Sequence, residues 1–237
     1  MSQTISPDRA SASVAADDDK RLTMPERAYR ELKRLLLDND LRPGALLLEQ
    51  EVATLLGMSR TPARAAMIRL ADEGFLEIRP RHGMRVLPVS AADMREIYEI
   101  LNGLESEAAE LVARKGLTDA QLDLLRQAVR DMDQALAKDE LRAWANADEQ
   151  FHRTLVDACG NKRLQALIFQ YWDQAHRARM ATLQLRPKPT SSNEDHMALV
   201  DAIAARDPER ARTIHREHRV RNGAVLVALL ASLGLNV

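Results

Sequence analysis

Glu49-Gln-Glu-Val-Ala-Thr-Leu-Leu-Gly-Met-Ser-Arg-Thr-Pro-Ala-Arg-Ala-Ala-Met-Ile-Arg-Leu-Ala-Asp-Glu73 is the stretch on which the fold turns. A short helix is expected from Gln50 to Leu56. Gly57 stops it, because glycine takes the left-handed conformation that closes helices. Ser59 can cap a second helix, Thr61 to Glu73, which Gly74 ends. Two helices joined through Gly57-Met58-Ser59 have the layout of a helix-turn-helix. Arg60, Thr61 and Arg64 fall in the first turn of the second helix, and the two arginines, four apart, share a face. Ala66, Met67 and Leu70 lie opposite and can pack inward. A DNA-reading helix needs this division: its N-terminal turn enters the major groove, where an arginine can make two hydrogen bonds to a guanine edge.

Two arginines on a helix are more simply read as a solvated face, so the surrounding frame must decide. Upstream, a helix should begin near Pro25 and bury Tyr29, Leu32, Leu35 and Leu36, which recur at helical spacing. It ends before the turn signal Leu41-Arg-Pro-Gly44. Downstream come two extended runs, Leu76–Arg79 and Met84–Leu87, joined by Pro80-Arg-His-Gly83 as a hairpin tip. The tip carries Arg79, Arg81 and His82 and can lie as a wing on a neighbouring backbone or minor groove. Three helices, a tight turn and a basic-tipped hairpin thus fall within about sixty residues.

Composition supports helix: aromatic residues are only 3% of the 237, while helix-favouring Ala, Leu and Arg are abundant. That length suits two domains. No apolar run reaches membrane-spanning length, and the N-terminus lacks a signal-peptide core. The single cysteine, Cys159, cannot form an internal disulfide, which suits a reducing cytoplasm. Charge permits DNA binding without arguing for it. Residues 24–88 hold eleven Lys/Arg against nine Asp/Glu, and residues 89–237 hold twenty against twenty-two. The expected organisation is a disordered tail over 1–23, a winged helix-turn-helix over 24–88, and an all-helical bundle over 89–237. The fold class is mainly α. Bundle helices are placed near 91–115, 118–137, 140–159, 162–184, 192–206 and 208–233, with Ser90, Thr118 and Asp207 as caps. The segment 185–191, Leu-Arg-Pro-Lys-Pro-Thr-Ser, is the one strong break.

In the bundle, Asp148 and His152 are four apart on one helix face. His196 opens the helix after the break, and His218 lies mid-way along the last. One carboxylate and three imidazoles suit Zn²⁺, Ni²⁺ or Mn²⁺, and helix bundles build such sites from inward-facing side chains. The plainer reading makes Asp148 a surface charge, His152 a core histidine, and His196 and His218 unrelated. His215, three before His218, is a rival ligand.

The segments Leu41-Arg-Pro-Gly-Ala-Leu-Leu-Leu-Glu49, Leu55-Leu-Gly-Met-Ser-Arg-Thr-Pro-Ala-Arg64 and Leu70-Ala-Asp-Glu-Gly-Phe-Leu76 resemble the GntR family of winged helix-turn-helix regulators. The resemblance implies operator contacts from Arg60, Thr61, Arg64, His82 and Gly83. Ala65 departs from the usual Glu, and Ala63 from the usual Val. The segments Ala147-Asp-Glu-Gln-Phe-His152, Asp195-His-Met-Ala-Leu-Val-Asp-Ala-Ile203 and Ile214-His-Arg-Glu-His218 resemble the FCD sensor domain of the FadR-like subfamily. This second resemblance implies metal ligands at Asp148, His152, His196 and His218, and a small organic acid as effector. Arg177, Arg179 and Asn222 are candidates to contact that acid. The arginine usual four residues before Glu105 is replaced by Leu101. The expected function is that of a homodimeric, DNA-binding repressor, with no enzymatic activity. A metal-dependent hydrolase is the alternative, though no His-Glu-x-x-His motif or Gly-rich phosphate loop is present. A sensor of metal alone is a third reading. Ile97, Ile100, Leu101 and Leu104 form an apolar stripe expected to serve the dimer.

Overall fold

The computed structural model describes residues 22–80 and 82–234. Most of the expected tail, and Arg81 of the hairpin tip, lie outside the described residues. Backbone contacts divide the chain into two compact units, with the boundary between Leu87 and Pro88.

In the first unit, α1 (Met24–Leu37) starts where Thr23 caps it: the Thr23 hydroxyl accepts from the Glu26 N–H at 3.4 Å, and Pro25 stands in the first turn. Then follow β1 (Leu46–Leu47), α2 (Glu49–Leu56), α3 (Arg60–Asp72), β2 (Leu76–Arg79) and β3 (Gly83–Val86). Gly57 ends α2 at φ 63°, in the left-handed region. Ser59 stands at the N-cap of α3, but its side chain makes no capping bond. Tyr29, Leu32, Leu36, Met67, Leu70, Phe75 and Val86 are all buried in one core, whereas Leu35, expected with them, is half-buried.

The sheet has three antiparallel strands in the order β1-β3-β2, with Leu76 opposite Val86 and Ile78 opposite Met84. β1 was not expected. Two residues carry no alternation to read; the strand exists because β3 offers it an edge, with Leu46 opposite Arg85. β3 also begins one residue earlier than the sequence suggests. Gly83 is required there on two counts: its φ is +82°, and a Cβ would sit 2.3 Å from the Leu47 carbonyl oxygen.

The second unit is helical throughout: α4 (Ala91–Lys115), α5 (Asp119–Ala137), α6 (Leu141–Ala158), α7 (Lys162–Thr182), α8 (Thr190–Ala204) and α9 (Pro208–Ser232). Ser90, Thr118 and Asp207 all accept from the third backbone N–H of their helices. A 3₁₀ turn (Leu183–Leu185) leads into the break expected at 185–191, and α8 begins inside it at Thr190, two residues before the expected start. α4 and α9 run closely together, because Gly223 has no side chain: a Cβ there would stand 2.8 Å from Tyr98 Cδ1.

The expected dimer stripe divides. Leu101 and Ile97 are buried within this chain's own core, whereas Ile100 is 39% exposed. One apolar stripe on a long helix cannot reveal which partner covers it, and here the chain's own bundle covers most of it.

Candidate metal centre and DNA-reading face

The candidate DNA-reading residues lie on the second helix of the helix-turn-helix and on the hairpin. Arg60, Thr61 and Arg64 are exposed on the first turn of α3, whose positive dipole end favours phosphate. Both arginines lean on Glu49 at the start of α2: Arg60 Nη2 is 3.3 Å from Oε2 and Arg64 Nε is 3.5 Å from Oε1. On the hairpin, exposed His82 has Nδ1 2.9 Å from the Pro80 carbonyl oxygen. Arg79 and Arg85 both pair with Glu77, at 2.9 and 3.0 Å. Between α3 and the hairpin lies a cleft of about 630 Å³, lined by Arg60, Arg64, Ile68, Ile78 and Gly83 among others.

In the helical unit, α6, α8 and α9 bring Asp148, His152, His196 and His218 together, all buried. The Nε2 atoms of His152 and His196 face each other at 3.3 Å. Asp148 Oδ1 is 3.6 Å from the first and 3.7 Å from the second. Each of His152, His196 and His218 offers a nitrogen within 4.8 Å of the others. Ligand atoms about 2.1 Å from a zinc ion at the tetrahedral angle stand roughly 3.4 Å apart. The observed spacings are close to those that the ligands of such an ion take, with two imidazole nitrogens and a carboxylate oxygen converging on one point.

The protonation states agree. Burial, with the neighbouring His152 adding to it, pushes the His196 imidazole well below its ordinary value. Burial also pushes His218 down, reinforced by His196 and His152. Both imidazoles are therefore neutral at pH 7, the form that can ligate a metal. Burial opposes ionisation of Asp148, but His152, His196 and Arg179 together hold the carboxyl well below the usual range.

Of the three candidate effector contacts, two lie at this cluster. Arg179 Nη1 is 3.4 Å from Asp148 Oδ2, and Asn222 Nδ2 is 3.3 Å from His218 Nε2. Arg177 is buried too, and burial draws its guanidinium down to about 10. At about 100° per residue it leaves α7 roughly 200° around from Arg179. Asn222 also lines a cavity of about 150 Å³ together with Trp144, Arg186, Lys188 and Arg221. Arg186, whose Nη2 donates to the Arg179 carbonyl at 3.1 Å, carried no signal in the sequence. Its position follows from the irregular segment after the 3₁₀ turn.

A second buried group adjoins the first. Glu105 on α4 pairs with Arg219 at 2.5 Å and lies 3.4 Å from His215 Nε2 and 3.7 Å from His152 Nδ1. Burial works against the Glu105 carboxylate, but Arg219, then His215 and His152, hold it at about 2. Sequence reading noted Glu105 only for the arginine missing before it. His215 and Arg219 are four apart on α9, and that spacing was the available clue. His176 sets Nδ1 2.9 Å from Glu149 Oε2.

The FCD domain family matches residues 96–221, more than half of the chain, and the gntR family of bacterial regulatory proteins matches residues 25–86. This protein belongs to the GntR family, with an FCD domain. It is a DNA-binding transcriptional regulator. Among relatives, an uncharacterised HTH-type transcriptional regulator in the TAR-I ttuE-ttuC' intergenic region of Agrobacterium vitis is 42% identical over 56% of this chain and 78% of its own. The HTH-type transcriptional repressor RspR of Escherichia coli is 28% identical over 80% of this chain and 84% of its own. Among solved structures, E. coli McbR/YncC superposes with a TM-score of 0.76 at 26% identity, covering 88% of this chain and 99% of that one. GntR-family membership thus agrees with the winged helix-turn-helix and helical bundle described above. No helix among the described residues is long and apolar enough to cross a membrane.

Proposed function

We propose that this regulator is a cytoplasmic repressor whose DNA affinity is set by a small carboxylate bound at a divalent metal. The observation that carries the proposal is the convergence of Asp148 Oδ1 and the Nε2 atoms of His152 and His196 within 3.3–3.7 Å of one another, with buried His218 beside them. Asp148, His152, His196 and His218 would hold Zn²⁺, Ni²⁺ or Mn²⁺. The ion would supply a Lewis-acidic centre for an oxygen-bearing ligand. Arg179 and Asn222 are placed to fix that ligand's carboxylate, and the cavity beside Asn222, with Arg186, Lys188 and Arg221 on its walls, favours an anion. Arg177 is the least favoured of the three contacts, because it leaves the helix on another side.

The repressor sign rests on similarity to the E. coli repressor. The chain would act as a homodimer, because one recognition helix reads one half-site. Arg60, Thr61 and Arg64 would read bases, and His82 and Gly83 of the hairpin would approach the backbone or minor groove. The effector would shift the dimer between arrangements of different DNA affinity.

Elemental analysis of protein purified without chelator tests the metal reading. One divalent ion per chain is expected, lost from the His152→Ala/His196→Ala double variant. Full retention in that variant would remove the site. Gel shifts with metal-loaded protein, with and without small carboxylic acids, then test the effector: no change across the acids would leave a sensor of metal alone.

A further inference from the structure

Asp148, Glu105 and Glu149 each have a cation of their own: Arg179 at 3.4 Å, Arg219 at 2.5 Å, and Arg153 at 3.5 Å with His176 at 2.9 Å. On the walls of the cavity beside Asn222, exposed Lys188 pairs with Asp139 at 2.7 Å and exposed Arg221 pairs with Asp195. Arg186, on the same walls, is half-buried and has no such partner among the described residues. Its Nη2 donates to the Arg179 carbonyl, and its Nε–H is buried with nothing to accept it. We propose that the effector is a small dianion, in its simplest form a dicarboxylate: one carboxylate sits at the metal with Arg179 and Asn222, and the other pairs with Arg186, which sets the preference for two charges.

Charge makes a monoanion a poor match. Histidines that ligate a metal are neutral imidazoles, and Glu105 and Arg219 cancel each other. A divalent ion taken together with Asp148, Arg179 and Arg186 then carries three positive charges. A monoanion leaves two of them uncompensated and a dianion leaves one, and charge away from water is costly unless it is paired. Burial draws the Arg186 guanidinium below its ordinary value, with Arg179 adding to the fall and Tyr98 and Asp148 opposing it. That is the behaviour of a cation short of a counterion.

The two ends of such a ligand have adjoining places. Asn222 Nδ2 is 3.3 Å from His218 Nε2, and the same side chain lines the cavity with Arg186. From the other direction, Arg186 holds the carbonyl of Arg179, whose own guanidinium stands beside Asp148. Trp144, Leu183 and Val225 give the cavity an apolar wall against which a hydrocarbon spacer can lie. Its volume of about 150 Å³ is room for about five waters at roughly 30 Å³ each, so the spacer is short.

A second carboxylate would accept the Nε–H of Arg186 in a charge-assisted hydrogen bond. A methyl group in its place would leave that donor buried and unmet. Lys188 and Arg221 already have carboxylates and stand in solvent, so their part is to draw anions toward the cavity. Discrimination between one charge and two therefore falls to Arg186.

This proposal rests on the metal reading, and the test keeps the two apart. The full chain, loaded with zinc, is titrated calorimetrically with the unbranched diacids from malonate to adipate, each beside the monoacid of the same carbon number. One diacid should bind about 10- to 150-fold tighter than its monoacid. Arg186→Met should remove that advantage and leave the monoacid's affinity unchanged, with zinc stoichiometry showing that the bundle is intact. Arg186→Lys keeps the charge and should retain part of the advantage; it carries the comparison if the methionine variant loses its zinc. Equal affinity for diacid and monoacid across the series, no binding of any diacid, or a preference that survives Arg186→Met overturns the proposal while zinc binding stands. A chain that holds no zinc sinks the metal reading instead. The stripped chain then decides the rest: an Arg186-dependent preference for diacids keeps that half of the proposal, and its absence overturns it.

Discussion

Arg64→Ala is the substitution that most directly tests how this protein reads DNA. The Arg64 side chain is 65% exposed, and its ionic partner is Glu49 at 3.5 Å. An exposed ion pair of that kind contributes about 0–1 kcal/mol, so the variant should fold. Alanine is also a better helix former than arginine at an exposed position. If the guanidinium pairs with a guanine, its loss costs about 1–3 kcal/mol per half-site. A dimer on two half-sites doubles this to about 2–6 kcal/mol, or roughly 30-fold to 20,000-fold in affinity. The assay is a gel-shift series on an operator selected from random DNA, repeated with every base substituted at each half-site position. The expected result is weaker binding together with relaxed preference at one position. A loss of equal size on every sequence, with a salt slope reduced by about one, would make Arg64 a phosphate contact instead. Unchanged affinity and unchanged preference would refute the placement of α3 in the major groove.

Three further outcomes are expected. His218→Ala should abolish stoichiometric metal in elemental analysis while His215→Ala leaves it largely intact; the reverse pair of results would move the site one turn along α9. Stability should fall as pH drops from about 6.5 toward 4. Burial draws His215 down to about 4 and His196 and His218 well below 6.5, so the unfolded chain takes up protons that the folded chain refuses, at up to about 1.4 kcal/mol per pH unit for each histidine. The contributions of Asp148 and Glu105 have the same sign but are lost later, below about pH 4.5, because their folded values are depressed. Urea midpoints of chelated protein between pH 8 and 4.5 check this, and a flat profile would contradict the burial of neutral histidines. Gly83→Ala should lower the thermal midpoint of the first unit and weaken operator binding, because the new Cβ meets the Leu47 carbonyl oxygen at 2.3 Å and the φ of +82° disfavours any side chain; wild-type values for both would mean that β1 is dispensable.

The sequence by itself determined the elements with strong local causes. Gly57, Thr118, Ser90 and Asp207 mark helix ends through backbone conformation or a side-chain cap, and both act within a few residues. The α3 pattern separated exposed Arg60, Thr61 and Arg64 from buried Ala66, Met67 and Leu70 for the same reason, since a helix fixes which neighbours share a face. The candidate ligands were legible in part: the four-residue spacing of Asp148 and His152 is local, whereas their union with His196 and His218 came from family resemblance. Only the tertiary structure decided the rest. β1 has two residues and exists because β3 presents an edge to it. Ile97 and Leu101 are covered by the chain's own bundle, which no helical period can foretell. His215 and His218 are nearly equivalent on α9 as sequence; they part because Glu105, more than a hundred residues away along the chain, stands beside one and Asp195, with Asn222, beside the other. Such contacts join distant segments through the packing of whole helices, and their geometry is absent from any local window of residues.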